Sequence, residues 1–346
     1  MNKLRMGIIG VGGIAQTRHI PAFQQLSDEV ELIAVQDVNK ERAQQVAENF
    51  HIPYVLDEYA SLFPLVDAVT ICTPNKFHAE ITIAALNAGV HVLCEKPMAI
   101  TTEQCEAMIQ AAEENDRLLA IAYHYRYMQE AQIAKKAIQH HAIGDPLVAR
   151  VQAMRRRKVP GWGVFTNKAL QGGGSLIDFG CHLLDLSLWL MDDPKPVEVN
   201  AKTYNRLSKQ PGQVNDWGTF DHETFEVDDH VTSYVTFEND LTMQFECSWA
   251  ANIKEDHTTL SISGADGGLN VFPLELYQSD YGVVWNSQPV LKEDAPSEGY
   301  AQARNFVQSC LGNEELVVKP EQALKVTKLI EAIYASSGAG TSIKFT

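Results

Sequence analysis

Met6-Gly7-Ile8-Ile9-Gly10-Val11-Gly12-Gly13-Ile14-Ala15 runs a short apolar segment into a glycine loop, and Val30-Glu31-Leu32-Ile33-Ala34-Val35-Gln36-Asp37 answers it with a second apolar segment ending on an acid. The first reads as a buried strand at 6–10 followed by a tight turn that opens a helix. Gly10 permits the turn, Gly12 lets backbone approach a pyrophosphate, Gly13 and Ile14 complete the loop, and Ala15 leaves room for close helix packing. Asp37 stands about 20 residues beyond the loop, at a strand end, where a carboxylate receives ribose hydroxyls. This pairing predicts a dinucleotide site on a parallel sheet. Because a carboxylate there repels a 2′-phosphate, NAD is the preferred cofactor; NADP stays possible because Lys40 and Arg42 lie close by and can offset the repulsion.

Outward from this unit, apolar runs at 68–72, 90–94 and 118–122 alternate with helical stretches at 40–50, 77–88 and 102–115. That alternation is the mark of repeated βαβ units, so residues 1–122 read as a Rossmann domain with a doubly wound parallel sheet. The texture changes after Tyr123. Strand patterns at 147–154, 197–204, 230–237, 241–249, 258–264 and 269–272 alternate polar and apolar residues, with helices at 129–141, 300–311 and 320–335 and a glycine loop leading into an apolar helix over 172–191. Residues 123–346 therefore read as an α+β substrate-binding and oligomerisation domain with an open, mainly antiparallel sheet; the fold class is α/β. The polar stretch 207–221 reads either as a surface loop or as a lid or subunit arm.

The 44 acidic residues outnumber the 28 basic ones, a net charge of −16 that disfavours nucleic acid and anionic membrane surfaces and points to a small-molecule partner. No apolar run reaches the roughly 18 residues of a membrane span, and Met1 to Arg5 lead straight into a strand with no cleavage site behind them. Six scattered cysteines without a CxxC pair fit a reducing, cytoplasmic setting. No HExxH pattern or zinc-ligand spacing is present, nor a GxSxG elbow, so neither metal nor serine-nucleophile catalysis is expected.

Further site candidates follow the strands. Thr73-Pro74-Asn75 succeeds the third long strand at the carboxyl edge of the sheet. Asn75 and His78 read either as ribose or nicotinamide contacts or as a helix cap and a solvated histidine. Glu95 either touches the nicotinamide ribose or pairs with a cation. Arg126 is a cofactor or substrate contact or a structural ion pair, and Tyr123 is a candidate substrate contact. The run Arg155-Arg156-Arg157-Lys158 before Pro160-Gly161-Trp162 is either a solvated strand end or a substrate loop, with Arg157 bonding hydroxyls or phosphate and Trp162 facing a sugar ring.

The glycine loop, Asn75-Lys76-Phe77-His78, Ala84 to Pro97 with Glu95-Lys96-Pro97, Tyr125-Arg126-Tyr127, and Gly172-Gly173-Gly174-Ser175-Leu176-Ile177-Asp178-Phe179-Gly180-Cys181-His182 together resemble the Gfo/Idh/MocA family of nicotinamide-dependent oxidoreductases, the glucose–fructose oxidoreductase and inositol dehydrogenase group. The resemblance spans the chain. It implies Lys96, Asp178 and His182 as the catalytic set, all three also meeting substrate, and Lys96 meeting cofactor as well. It further implies hydride transfer on a sugar, sugar phosphate or cyclitol, and homodimers or homotetramers joined through the second-domain sheet.

The residues themselves support the same chemistry. Asp178 and His182 are four apart and share a face of any α-helix. Histidine titrates near neutral pH and suits removal of a hydroxyl proton, whereas a histidine on an apolar helix otherwise serves a structural hydrogen bond. Lys96, just past a strand, has the reach to stabilise charge on the reacting oxygen. The expected activity is an NAD(P)-dependent dehydrogenase acting on a CH–OH group. An NADPH-dependent ketosugar reductase and a non-catalytic nicotinamide-binding regulator are the alternatives.

Overall fold

In the computed structural model, which describes residues 3–345, six strands form one parallel sheet: β1 (Leu4–Ile9), β2 (Val30–Gln36), β3 (Tyr54–Leu56), β4 (Ala68–Ile71), β5 (His91–Cys94) and β6 (Leu119–Ile121). Met1 and Asn2 of the amino-terminal reading lie outside the described residues, as does Thr346. The order is β3-β2-β1-β4-β5-β6. Met6, Ile8, Ile9, Val69, Ile71 and Val92 are wholly buried, as expected of strands covered on both faces. Strand order reverses between β1 and β4, and the carboxyl ends of strands at such a switch point are where ligands of this topology bind. Expectation and structure differ at β3, whose three residues pair only with the end of β2 and are too short to show a pattern.

Helices begin where side chains cap them. Asn39 accepts the Arg42 N–H at 2.9 Å ahead of Lys40–Phe50, and Thr101 with Gln104 forms a reciprocal capping box ahead of Thr102–Glu114. The packing units are not continuous in sequence: residues 3–127 group with 296–327, and 128–295 group with 328–345. The helix Glu298–Cys310 explains the first grouping. Its buried Ala303, Phe306 and Val307 enter the apolar cluster of Ile20, Ala22 and Phe23 in the first unit.

The second unit holds a nine-stranded sheet of β7 (Pro146–Met154), β8 (Pro196–Tyr204), β9 (His230–Phe237), β10 (Thr242–Ser248), β11 (His257–Gly264), β12 (Gly267–Val271), β13 (Leu274–Asp280), β14 (Val283–Ser287) and β15 (Ile343–Lys344). Its order is β14-β13-β12-β11-β7-β10-β9-β8-β15. Every pair is antiparallel except β7–β10, so the sheet is mixed. Those two strands are not consecutive, so no hairpin dictates their direction. The helices Gln129–Gln139 and Cys181–Leu190 pack on the sheet and on each other. The β13–β14 hairpin escapes the sequence pattern because β14 is exposed throughout; its turn residues Tyr281 and Gly282 both have positive φ, 51° and 76°, as a tight hairpin requires. No helix among the described residues is long and apolar enough to cross a membrane.

Phe306→Ala is expected to destabilise the first unit by about 3–5 kcal/mol, the cost of emptying a buried aromatic site. Urea denaturation followed by circular dichroism measures it, and a change under 1 kcal/mol would show that this distant helix is not part of that core.

Candidate active site

Gly10 leaves β1 with φ +83°, and a Cβ there would stand 2.8 Å from the carbonyl group of Cys72, so glycine is the residue that lets the loop pass β4. A Cβ on Gly12 or Gly13 would meet nothing within 4 Å, so the loop presents open backbone. Beside it, Thr73 Oγ1 is buried with no hydrogen-bond partner among the described residues. An open glycine cradle, an orphaned hydroxyl and a carboxylate at the end of β2 fit a dinucleotide. Ile14 enters a helix whose first full turn, Ala15–His19, is a π turn.

Asp37 is buried and already engaged. Its carboxylate accepts N–H bonds from Val11 and Asn39, both at 2.8 Å, and a forked pair from Arg42 at 2.6 and 3.2 Å. Lys40 turns instead to Asp57 at 2.6 Å. The acid therefore ties the glycine loop to the second strand, and Arg42 is the cation that stands on it.

A buried charge cluster lies under the other cofactor-side loops. Glu95 Oε1 is 2.7 Å from His19 Nε2, and Glu95 Oε2 accepts the Lys96 N–H at 3.1 Å. Burial opposes the Glu95 charge, but the His19 hydrogen bond and the charges of His19, Lys96 and Arg18 outweigh it and draw the carboxyl down to about 2. Arg18 Nη1 donates to His124 Nδ1 at 3.0 Å, and burial with that guanidinium pulls His124 down to about 3, so its ring is neutral. His19, Arg18 and His124 were not singled out in the sequence; the signal available was a histidine and an arginine on the helix directly after the glycine loop.

Three of the expected contacts are wholly buried. His78 is wholly buried, with Nδ1 2.8 Å from the Pro97 carbonyl and Nε2 2.9 Å from the Thr73 carbonyl. Burial holds the ring below its ordinary pKa, and it clamps the Thr73 loop to the Lys96-Pro97 loop. Arg126 is also wholly buried and donates to the Val317 carbonyl and Gln322 Oε1, a structural tie. Tyr123 has no exposed surface to offer a substrate. Asn75 is buried at the start of a single helical turn, and Lys96 stands half-buried between Glu95 and Pro97.

In the second unit the motif Gly172 to His182 is built around one carboxylate. Asp228 accepts the Gly174 N–H (2.8 Å), the Leu176 N–H (2.9 Å), the Ser175 hydroxyl (2.8 Å) and the Tyr334 hydroxyl (2.6 Å). Burial and that charge push the Tyr334 phenol well above its ordinary value. A Cβ on Gly173 would fall 2.0 Å from the Tyr334 hydroxyl, and one on Gly174 2.0 Å from the Asp228 carbonyl oxygen, which explains both glycines. The anchored helix continues through a π turn, Leu176–Gly180, into Cys181–Leu190.

Asp178 leaves this π turn with its side chain 17% exposed; Trp249 Nε1 donates to its Oδ2 at 3.1 Å and Arg155 Nη1 lies 3.7 Å from the same oxygen. The Arg155 guanidinium is layered between the Phe179 ring at 3.9 Å and the Trp217 ring at 4.4 Å. His182, 7% exposed, follows on the α-helical portion. Arg157, part-buried, donates to the Ala250 carbonyl and Asn252 Oδ1, and Arg155 is the arginine beside Asp178. Trp162 is 54% exposed.

A Rossmann unit with an open dinucleotide cradle, followed by a unit offering an acid and a histidine on one anchored helix, defines a nicotinamide-dependent oxidoreductase. The model of the oxidoreductase family with an NAD-binding Rossmann fold matches residues 4–123, and that of the GFO/IDH/MocA C-terminal domain matches residues 131–270. The chain is 34% identical over 349 residues to the D-glucoside 3-dehydrogenase of Escherichia coli K12, covering 99% of this chain and 98% of that one. It is 34% identical over 220 residues to the glucose-6-phosphate 3-dehydrogenase of Bacillus subtilis, covering 61% of each. Among solved structures it is similar to the aldose-aldose oxidoreductase of Caulobacter crescentus complexed with glycerol, at a TM-score of 0.83 and 27% identity over 99% of this chain and 100% of that one. The protein belongs to the Gfo/Idh/MocA family and is an NAD(P)-dependent oxidoreductase.

Asp228→Ala strands four donors inside the second unit and is expected to cost about 3 kcal/mol or more, read as a lowered urea midpoint. Folded pKa values below the ordinary ones, about 3 against 6.5 for His124 and about 2 against 4.5 for Glu95, mean that the unfolded chain binds more protons, so stability falls as pH drops through each interval. The decline between 6.5 and 3 is expected to be shallower in His124→Asn, and that between 4.5 and 2 shallower in Glu95→Gln, when unfolding midpoints are followed against pH.

Proposed function

We propose that the protein oxidises a secondary hydroxyl of a sugar, with Lys96, Asp178 and His182 serving one hydride transfer. A bound nicotinamide would supply the acceptor for the hydride leaving the carbinol carbon. His182 accepts the hydroxyl proton, the C–O bond becomes a carbonyl, and the proton passes on to solvent. Lys96 donates to the reacting oxygen and stabilises its developing charge. Asp178, held by Trp249 and Arg155, accepts from a substrate hydroxyl and keeps the ring in register with the base. The observation that carries this reading is the Asp228-anchored helix, which displays an oriented acid and a histidine on the chain of an established NAD(P)-dependent oxidoreductase.

Glucose-configured substrates fit best, because the relatives at 34% identity are a D-glucoside 3-dehydrogenase and a glucose-6-phosphate 3-dehydrogenase. Sugar phosphates and inositols are the neighbouring classes. Asp37 at the ribose position favours NAD, and the forked Arg42 supports a tolerance for NADP that keeps the NADPH-dependent ketosugar reductase as a second reading. Self-association in the cytoplasm completes the proposal. The exposed sheet face bearing Tyr204 and Tyr234, 43% and 45% exposed, supports pairing of subunits there, and light scattering reads the resulting mass.

Purified protein is expected to reduce NAD with D-glucosides. Lys96→Ala lowers kcat by about a thousandfold and His182→Ala by about a hundredfold or more. Full activity in both variants rejects the assignment. Arg42→Ala is expected to weaken NADPH binding more than NADH binding in fluorescence titrations, and equal weakening removes Arg42 from cofactor choice.

A further inference from the structure

Trp162, Trp217 and Phe165 form an aromatic platform that no part of the hydride-transfer chemistry requires. Trp217 and Trp162 have ring centroids 5.5 Å apart at 44°, and Phe165 meets Trp162 edge-on at 6.3 Å. The platform starts at Asp178: the carboxylate faces Arg155, the Arg155 guanidinium stacks on Trp217, and Trp217 leads outward to the half-exposed Trp162.

Its backbone is built to hold those rings. Residues 157–161 pair with 215–218 through Asp216 N–H to the Arg157 carbonyl (2.8 Å), Gly161 N–H to the Trp217 carbonyl (2.9 Å), and Asn215, which both accepts from the Val159 N–H and donates to the Val159 carbonyl at 2.8 Å. A Cβ on Gly161 would stand 2.6 Å from the Gly218 backbone, so a side chain there would part the two segments. Residues 215–218 of the polar stretch 207–221 are thereby tied to the segment 157–161. An indole kept in water on such a scaffold costs apolar hydration that a stacked ring would remove.

We propose that this platform is a subsite for a second ring glycosidically joined to the sugar being oxidised, making glycosides with a ring aglycone preferred over the free monosaccharide or its methyl glycoside. The proposal rests on the reading that Asp178 touches the reacting sugar. A ring linked to that sugar and directed past Arg155 meets Trp217 and then Trp162. Either a second sugar or an aryl group offers the flat apolar face that stacking on indole needs.

The test compares methyl glucoside, phenyl glucoside and cellobiose, with NAD, in the wild-type protein, Trp162→Ala and Trp162→Phe. The wild type is expected to favour phenyl glucoside, cellobiose or both over methyl glucoside by about tenfold in kcat/KM. That ratio falls toward one in Trp162→Ala and is largely kept in Trp162→Phe. An excess for cellobiose alone assigns a second sugar to the subsite, and an excess for phenyl glucoside alone assigns an aryl group. Calorimetric binding of the same three ligands separates the two levels of the argument. Ring-dependent binding that needs Trp162, without any turnover, upholds the subsite and rejects the proposed reaction. Lys96-dependent turnover with no ring preference in the wild type, or a preference untouched in Trp162→Ala, overturns the subsite.

Discussion

The Asp228 carboxylate takes four hydrogen bonds at the amino end of the helix that carries Asp178 and His182, and much of the second unit is arranged to let it do so. Free N–H groups at a helix start attract negative charge, and a buried carboxylate needs donors on every side to remain charged. Each requirement answers the other. Gly173 and Gly174 are glycines because Tyr334 and the Asp228 backbone occupy the space a side chain would need. Tyr334 comes from the helix Pro320–Ala339 and Asp228 from the approach to β9, so one anchor gathers three distant parts of the chain.

The first unit solves a related problem with buried ions. Glu95 keeps its charge in an apolar setting because His19, Lys96 and Arg18 surround it, while His124 gives up its charge beside the same arginine. His78 then ties the loop after β4 to the loop after β5. The residues on either side of Lys96 are tied down, Glu95 by His19 and Pro97 by His78, which fixes the backbone from which the lysine extends. Both glycine-led helices also begin with a π turn, Ala15–His19 and Leu176–Gly180, a local widening common at functional sites. In the second helix the widened turn carries Asp178 and the regular turns carry His182, so the four-residue spacing spans a change of helix type.

Aromatic packing links the proposed chemistry to recognition. Arg155, between Phe179 and Trp217, is at once an ionic neighbour of Asp178 and the inner layer of a stack that ends at Trp162. A planar guanidinium suits that position, since it stacks and bonds in one orientation, whereas an ammonium would only do the second.

Local patterns determined a great deal. The period-two strands, the capped helices, the glycine loop with Asp37, and the Lys96 and Asp178/His182 motifs are all legible because each depends on residues within one or two elements. The exposed β14 and the three-residue β3 left no such pattern. What the tertiary structure decided are pairings between residues far apart in the chain: His19 with Glu95, Arg126 with the 317–322 segment, Asp228 with Gly174 and Tyr334, and Arg155 rather than Arg157 with Asp178. A basic run shows that cations are present, but only the contacts of the folded chain show that Arg155 stands beside the acid while Arg157 bonds the Ala250 carbonyl and Asn252. Burial likewise explains the ties that His78 and Arg126 make, because a polar group removed from water must bond whatever the fold puts beside it.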